Sequence, residues 1–165
     1  MAEAPAPGHD DMKIAQILAP ERVAISVEVA SKKAVLERLA TMLASASPAL
    51  KSKDVFDSLI ARERLGTTGL GAGIAIPHGR VGGASAPVGA FLRTAAPLGF
   101  DAVDNAPVDL FFALCVPADA HQEHLDLLAA LAGRLSDAGF VARLRAAADP
   151  AAVFAQLTAD GAGDD

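Results

Sequence analysis

The chain has 165 residues and a formal net charge of −6, and hydrophobic residues make up 52 % of it. This length corresponds to one domain that buries a core without disulfides or metals. The single cysteine, Cys115, cannot form an internal disulfide, and we expect a small buried apolar residue rather than a reactive thiol. An acidic chain without Trp or Tyr has neither the basic stripe nor the stacking platforms typical of nucleic-acid binding.

The two ends of the chain differ in composition from the rest. Residues 1–11, which include His9, are rich in Ala, Pro and acidic residues and have neither the basic nor the apolar region of a secretory signal. No apolar run approaches the roughly 20 residues that a membrane helix needs. We therefore expect a soluble cytoplasmic protein, not inserted in a membrane, with a disordered tail over 1–11, a domain over 12–158 and a flexible tail over 159–165.

The first half of the domain carries helical and strand patterns in turn. They predict a short helix, a strand and two longer helices over residues 12–17, 23–29, 32–46 and 51–64. Ser31 is the expected N-cap of the second helix, and Gly66 is expected to end the third.

The second half continues the alternation. Two strands are predicted over 88–94 and 108–116, and the second is apolar on both faces, which favours a central position in the sheet. Three helices are predicted over 120–137, 140–147 and 150–157, and the first is expected to turn inward the leucines Leu125, Leu128, Leu131 and Leu135. The pattern indicates an α/β domain, a mixed sheet of about five strands flanked by helices in an α/β/α sandwich.

The segment between the third helix and the next strand is the most informative. It is glycine-rich from Gly66 and continues through a short apolar run over 74–76, which we expect to be a few buried strand residues. The run stops at Pro77, before His78. Proline ends a strand ladder, so we expect His78 at a strand end or on the following loop. With Arg80 two residues on, such a histidine can meet a partner and handle an anion. The alternative is a surface histidine in a turn.

Residues 61–69 and 73–79 resemble the signature of type-2 EIIA domains, of the fructose/mannitol class of the phosphoenolpyruvate-dependent phosphotransferase system. Residues 100–114, 116–119 and 124–128 extend the similarity, which covers about residues 12–158. The order and spacing of these blocks, together with the SKKA segment at 31–34, are most similar to the nitrogen-related branch of that family, EIIA(Ntr).

The resemblance implies that His78 carries a phosphoryl group as a tele-phosphohistidine, and that Arg62 and His124 lie beside it. A neutral imidazole is a good nucleophile near physiological pH when its other nitrogen is held as a donor. In phosphoryl transfer, the protein mainly positions the reacting groups and stabilises the negative charge on the phosphoryl oxygens. We expect phosphate contacts from the backbone of the glycine-rich segment and from two hydroxyls, that is from Thr67, Thr68 and Gly69.

Each of the other candidate residues has a second interpretation. Arg62 can simply favour the C-terminal end of its helix dipole. His121 and His124 are three apart on a predicted helix, but without a third ligand they do not indicate a metal site, and no cofactor is expected. Arg64 and Arg80 either dock an acidic rim or are plain surface charges. His121 is expected to be exposed.

The chain has neither a P-loop nor a kinase signature, so the phosphoryl group is expected to come from another phosphoprotein. By resemblance, the leading interpretation is a nitrogen-regulatory phosphocarrier, rather than a conventional turnover enzyme. It would be phosphorylated by an HPr/NPr-type histidine phosphocarrier and would control potassium-transport or nitrogen-response proteins. One alternative is a sugar-specific EIIA that passes phosphate to an EIIB domain. A third, of another class, is a binding module whose His78 never takes phosphate.

Overall fold

The computed structural model describes residues 14–159. The expected tail over 1–11, His9 and most of the expected C-terminal tail lie outside these residues. The described helices are α1 (Ile14–Ile17), α2 (Lys32–Ala44), α3 (Ser52–Leu65), α4 (Gln122–Leu135), α5 (Ala138–Ala146) and α6 (Pro150–Thr158). The described strands are β1 (Val23–Val27), β2 (Gly69–Gly71), β3 (Ile74–Ala75), β4 (His78–Val81), β5 (Val88–Leu98) and β6 (Val108–Pro117).

The strands form one mixed, open sheet in the order β1-β5-β6-β3-β2, and β4 continues along the same edge of β6 as β3. β5 and β6 are antiparallel, whereas β1 is parallel to β5, and β3 and β4 are parallel to β6. The predicted α/β class and the single domain are therefore confirmed. The sheet has six strands rather than about five. The strand predicted over 74–76 is confirmed as β3, and the same segment adds the short strands β2 and β4, which give no clear alternation of polar and apolar side chains.

Helices cover both faces of the sheet. Helices α1, α4, α5 and α6 pack on one face, and α2 and α3 pack on the other. Along β6, alternate side chains enter the two cores, so that Phe112 and Leu114 belong to one and Phe111 and Cys115 to the other. The central position predicted for β6 is confirmed, as is the buried Cys115, whose pKa burial raises to about 11.

Two helix starts follow the sequence closely. The hydroxyl of Ser31 accepts a hydrogen bond from the backbone N–H of Ala34 at 3.1 Å and so caps α2, as predicted. Pro150 lies at the first-turn position of α6, where its missing N–H costs nothing, and Asp149 caps that helix. In the described part of the chain, no helix is both long enough and apolar enough to cross a membrane.

The inward face of α4 differs from the prediction. Leu125 was expected to face the core, but it is 60 % exposed, whereas Leu127 is 2 % exposed. The buried positions are His124, Leu127, Leu131 and Leu135, which recur every three or four residues. The prediction for Leu125 was wrong because it counted only leucines, whereas a histidine occupies the first position of the buried stripe. The helix therefore turns His124, and not Leu125, toward the sheet.

Candidate functional site

His78 is the first residue of β4, directly after Pro77 and opposite Leu114 of β6. Pro77 separates β3 from β4, so the histidine begins a new short strand instead of following the last one as a loop residue. Its side chain is half-buried, and its Nδ1 lies 2.8 Å from the backbone oxygen of Ile76. A carbonyl oxygen only accepts hydrogen bonds, so Nδ1 carries the proton. In the neutral ring, the lone pair is therefore on Nε2.

The surroundings of His78 keep its ring neutral. Burial lowers its pKa, and the hydrogen bond to Ile76 acts in the opposite direction. The positive charge of Arg62 lowers the pKa further, whereas the negative charge of Glu63 raises it, and the net result is a lowered pKa. The ring is thus an uncharged nucleophile at neutral pH, and the direction of its one backbone hydrogen bond selects the nitrogen that is free to react.

His124, in the first turn of α4, packs edge-on against His78. The two ring centroids are 5.3 Å apart and the ring planes are perpendicular. His124 is only 7 % exposed, and among the described residues neither of its ring nitrogens has a hydrogen-bond partner. Burial, followed by the charges of His78, Arg80 and Arg62, lowers its pKa to about 4. His124 is therefore a neutral ring with an unsatisfied N–H and an unsatisfied lone pair next to His78.

Two arginines add positive charge to this region. Arg62, in the last turn of α3, donates from Nη1 to the backbone oxygen of Gly66 at 2.8 Å, and Arg80 lies on β4 two residues after His78. Among the side chains that the structure describes, neither guanidinium lies within ion-pair distance of a carboxylate. With no described carboxylate to pair with, each guanidinium keeps its full positive charge, and a guanidinium can bind an anionic group.

Close packing of α3 on β4 brings Arg62 to the site. Gly79 faces Ser58 so closely that a Cβ at this position would overlap the Ser58 hydroxyl and would lie 3.1 Å from its carbonyl carbon. The same hydroxyl donates to the backbone oxygen of Arg80 at 2.8 Å. One helical turn after Ser58, Arg62 is therefore held beside the strand that begins with His78.

The three residues predicted to contact phosphate, Thr67, Thr68 and Gly69, already donate their hydrogen bonds to other groups of the protein. The Thr67 hydroxyl donates to the backbone oxygen of Phe100 at 3.1 Å and accepts from the N–H of Gly69 at 3.0 Å. Thr68 is buried, and both its hydroxyl and its N–H donate to the carboxylate of Glu63, at 2.6 and 2.9 Å. Their assignment to phosphate stays a prediction, since phosphate binding would have to replace these bonds.

Sequence reasoning missed Glu63, which is only 5 % exposed although it carries a carboxylate. Its Oε2 lies 3.2 Å from the ammonium of Lys32, which also stands over the Phe100 ring at 4.7 Å. A signal was present in the sequence, because Glu63 continues the buried stripe of α3 through Val55 and Leu59 at four-residue spacing. A charged residue at a core position is seldom buried unless it is paired.

The other titratable residues do not join this group. His121 is exposed at the N-cap of α4, as expected, and Arg64 is exposed on α3. Within residues 14–159, no three His, Cys, Asp or Glu side chains come close enough together to hold a metal ion.

The fold and the site together define a small α/β domain that presents a neutral histidine beside two arginines, neither of which is paired with a described carboxylate. A family model described as "Phosphoenolpyruvate-dependent sugar phosphotransferase system, EIIA 2" matches residues 16–159. The chain therefore belongs to the EIIA type 2 family of the phosphoenolpyruvate-dependent phosphotransferase system, and the resemblance carried by its motifs is confirmed.

Relatives of this chain include both nitrogen regulatory proteins and a sugar-specific EIIA. The chain is 45 % identical over 149 residues to a "Nitrogen regulatory protein" of Pseudomonas aeruginosa, covering 90 % of this chain and 96 % of the relative. The crystal structure of nitrogen regulatory protein IIA-Ntr from Neisseria meningitidis superposes with a TM-score of 0.83 at 45 % identity, covering 88 % and 99 % of the two chains. A "PTS system fructose-specific EIIA component" of Haloferax volcanii is 35 % identical over 126 residues, covering 76 % and 82 %.

Proposed function

We propose that this chain is a nitrogen-regulatory phosphocarrier, which accepts a phosphoryl group on Nε2 of His78 from an HPr/NPr-type carrier. The observation that carries the proposal is the hydrogen bond from Nδ1 of His78 to the backbone oxygen of Ile76. It leaves the Nε2 lone pair as the reactive site of a neutral ring. The protein is then a carrier, whose partners respond to whether His78 is phosphorylated.

The transfer is a displacement at phosphorus. The Nε2 lone pair of His78 forms a new N–P bond while the N–P bond of the donor phosphohistidine breaks, and the bonding electrons of that bond return to the donor ring. Negative charge on the transferring oxygens increases the attraction to the guanidinium of Arg62, which is unpaired by any described carboxylate. Catalysis of this kind depends mainly on positioning and on preorganised positive charge.

His124 has a specific part in this proposal. It is a buried neutral ring without a protein partner among the described residues, 5.3 Å from the His78 ring. Such a group is costly unless a ligand satisfies it. An N–H of His124 directed at a phosphoryl oxygen on His78 gains the missing acceptor. His124 therefore stabilises the phosphorylated state, and it does not itself accept the phosphoryl group.

The nitrogen branch is preferred over sugar transport because relatives named nitrogen regulatory proteins are 45 % identical over almost their whole length. The regulated partners proposed by this likeness are potassium-transport or nitrogen-response proteins, with the chain acting in the cytoplasm. The second candidate, transfer from His78 to an EIIB domain, is favoured by the fructose-specific relative at 35 % identity.

Labelling by phosphoenolpyruvate, enzyme I and the histidine phosphocarrier tests the proposal. We expect one acid-labile, alkali-stable phosphoryl group, which is lost in His78→Ala. The matched control is His121→Ala, which removes an exposed histidine at the start of α4 and should leave labelling unchanged. Labelling that persists in His78→Ala overturns the site, and a wild-type protein that stays unlabelled favours the binding module. Passage of the label to a purified fructose-type EIIB favours the sugar-specific alternative.

A further inference from the structure

A continuous set of contacts leads from a buried ion pair to the reactive histidine. Lys32 pairs with the carboxylate of Glu63, whose two oxygens accept hydrogen bonds from the N–H and the hydroxyl of Thr68. The backbone oxygen of Thr68 then accepts the N–H of Ile76 at 3.1 Å. The backbone oxygen of Ile76 in turn accepts the Nδ1 proton of His78.

The Glu63 carboxylate makes more polar contacts than any other group in this set. It makes two hydrogen bonds and one ion pair in a position that is 5 % exposed, and hydrogen bonds to a charged acceptor are stronger than neutral ones. Thr68 is thereby fixed through both its backbone and its side chain. The Thr68 oxygen accepts the N–H of Ile76, in the peptide unit just before the one that contains the Ile76 carbonyl, so the carboxylate helps to fix the segment that presents this carbonyl.

The Ile76 carbonyl needs such support because the chain around it has few other bonds. Pro77 has no N–H, and β3 contains only Ile74 and Ala75. On the other side, the N–H of Leu114 in β6 donates to the backbone oxygen of Pro77 at 2.9 Å. The segment that orients His78 is thus held from two sides, by β6 and by the contacts that begin at Glu63.

We infer that Glu63 is a positioning residue for His78, which acts through Thr68 and Ile76 to keep the proton on Nδ1 and the lone pair on Nε2. This inference rests on the proposed phosphocarrier function for its kinetic consequence, whereas its structural consequence is independent of phosphorylation. The other charged groups around His78 are Arg62 on α3, Arg80 on β4 and His124 on α4. Within residues 14–159, none of these three side chains makes a hydrogen bond to the Ile76 carbonyl. A change of the His78 tautomer in a Glu63 variant is therefore traced to the contacts that begin at Glu63.

The test is the Glu63→Gln variant, in which an amide of the same shape replaces the carboxylate. Its NH₂ group cannot accept from the Thr68 N–H or from Lys32, and it can only donate to the Thr68 hydroxyl. The negative charge that strengthens the contacts with Thr68 and Lys32 is therefore lost. Long-range ¹H–¹⁵N correlation spectra of the full-length unphosphorylated protein report which ring nitrogen of His78 carries the proton. We expect only the Nδ1–H form in the wild type and a mixture of both forms in Glu63→Gln. The rate of phosphoryl transfer to His78 should fall about tenfold, as the loss of one hydrogen bond to a charged group predicts.

The matched control is Asp109→Asn. Asp109 also holds an ion pair, with Arg145 at 2.8 Å, and Arg145 donates to the backbone oxygen of Ala72 in the turn between β2 and β3. This variant loosens the far end of the same hairpin but does not touch the contacts from Glu63 to His78. It should retain the Nδ1–H form and a transfer rate within about twofold of the wild type, because its ion pair is partly exposed and weak.

Two outcomes would overturn the inference. One is a Glu63→Gln protein with the wild-type tautomer, and the other is an equal loss of the Nδ1–H form in Asp109→Asn. If Glu63→Gln does not fold, Thr68→Val removes only the hydroxyl bond to Glu63, and it should change the tautomer in the same direction but less. An unchanged tautomer in that variant also counts against the inference. An unlabelled wild-type protein contradicts the phosphocarrier proposal alone, since the tautomer measurement needs no phosphoryl donor.

Discussion

The two ends of the β2–β3 hairpin differ in whether the polar side chains near them have partners within the protein. At the turn, Arg145 is paired bidentately with Asp109 and donates to the backbone oxygen of Ala72, and Asp104 accepts the Ala72 N–H. Ala72 has a φ of 57°, and the glycines on either side also have positive φ, so these bonds stabilise a strained turn. At the other end, where the chain leads into His78, Arg62 lacks a carboxylate partner and His124 lacks any partner among the described residues.

The comparison separates charges that are paired within the protein from the charges that we propose act on a phosphoryl group. At the turn, each charged group named above is held within the protein, Arg145 by the Asp109 carboxylate and Asp104 by the backbone N–H of Ala72. Beside His78, Glu63 is paired with Lys32 and Thr68, but the buried His124 ring has no hydrogen-bond partner among the described residues, and an unsatisfied buried group is costly to the folded state. Such a cost is typical of functional sites, where a ligand supplies the missing partner.

The largest expected effect on phosphoryl transfer comes from replacing Arg62, the arginine beside His78. Arg62→Ala should slow phosphoryl transfer by about 2–4 kcal/mol of transition-state stabilisation, as expected for loss of a preorganised donor, and should not unfold the domain. Transfer rates measured with the purified donor, together with urea unfolding, check this expectation. A wild-type rate combined with a lowered melting temperature would place Arg62 among the structural residues.

The second contrast concerns His124 and pH. Its pKa is about 4 in the folded protein and 6.5 in the unfolded chain, so the unfolded state binds its proton first as the pH falls. Keeping His124 neutral costs the folded protein nothing above about pH 6.5. As the pH falls toward 4, proton binding to the unfolded chain progressively lowers the free energy of unfolding. This decrease amounts to about 3 kcal/mol, since each pKa unit corresponds to about 1.4 kcal/mol.

His124→Gln should remove that part of the pH dependence, so the difference in unfolding free energy between the two proteins should change with pH by this amount. The variant should still be labelled on His78, with a changed rate and a shifted pH profile. A second phosphoryl group that disappears with His124 would contradict this role. So would wild-type kinetics throughout the range in which histidine titrates, about pH 5.5 to 8.5.

The third contrast tests the packing that brings Arg62 to His78. Gly79→Ala should destabilise the domain by about 2 kcal/mol, because the new methyl group meets Ser58 on α3 and forces the helix from β4. Transfer to His78 should slow as well. The control is Gly82→Ala, three residues later, where an added Cβ meets nothing within 4 Å and little change is expected. Equal stabilities of the two variants in urea unfolding would show that α3 tolerates a displacement.

The smallest expected effect is at the hairpin turn. Arg145→Ala removes a half-exposed ion pair and one bond to the Ala72 carbonyl, and it should cost about 1 kcal/mol of unfolding free energy. Transfer to His78 should stay close to the wild-type rate. A large loss of transfer in this variant would mean that the whole hairpin, and not only its Thr68–Ile76 end, determines the position of His78.

The fold was largely predictable because most elements carry a clear period. The stripe of α2, the Ser31 cap and the continuous apolar run of β6 led to the correct elements. Of the short strands, β3 was predicted from the apolar run over 74–76, whereas β2 and β4 were missed. Their pairing comes from backbone bonds with β3 and β6, and such short segments leave no alternating pattern. The length of β5 was also underestimated, since its last residues, Ala95–Leu98, give no polar–apolar alternation.

The site was predictable only in part. Motif resemblance singled out His78, Arg62 and His124, and the fold brings all three together, although their roles stay predictions. The buried Glu63 and the inward turn of His124 were not anticipated, because both are polar residues on helix stripes that pattern reasoning assigns to hydrophobic ones. The hydrogen bonds from Thr67 to Phe100 and from Thr68 to Glu63 arise only in the folded structure, so a local sequence pattern could not predict them.

The central claim is that the hydrogen bond from Nδ1 to the Ile76 carbonyl makes Nε2 of His78 the phosphoryl acceptor. Its most direct test is an NMR measurement of ³¹P–¹⁵N coupling in the ¹⁵N-labelled protein, immediately after phosphorylation by the phosphoenolpyruvate-driven donor system. We predict coupling of phosphorus to Nε2 of His78, with Nδ1 still protonated. Coupling to Nδ1, or to a nitrogen of His124, would contradict the account.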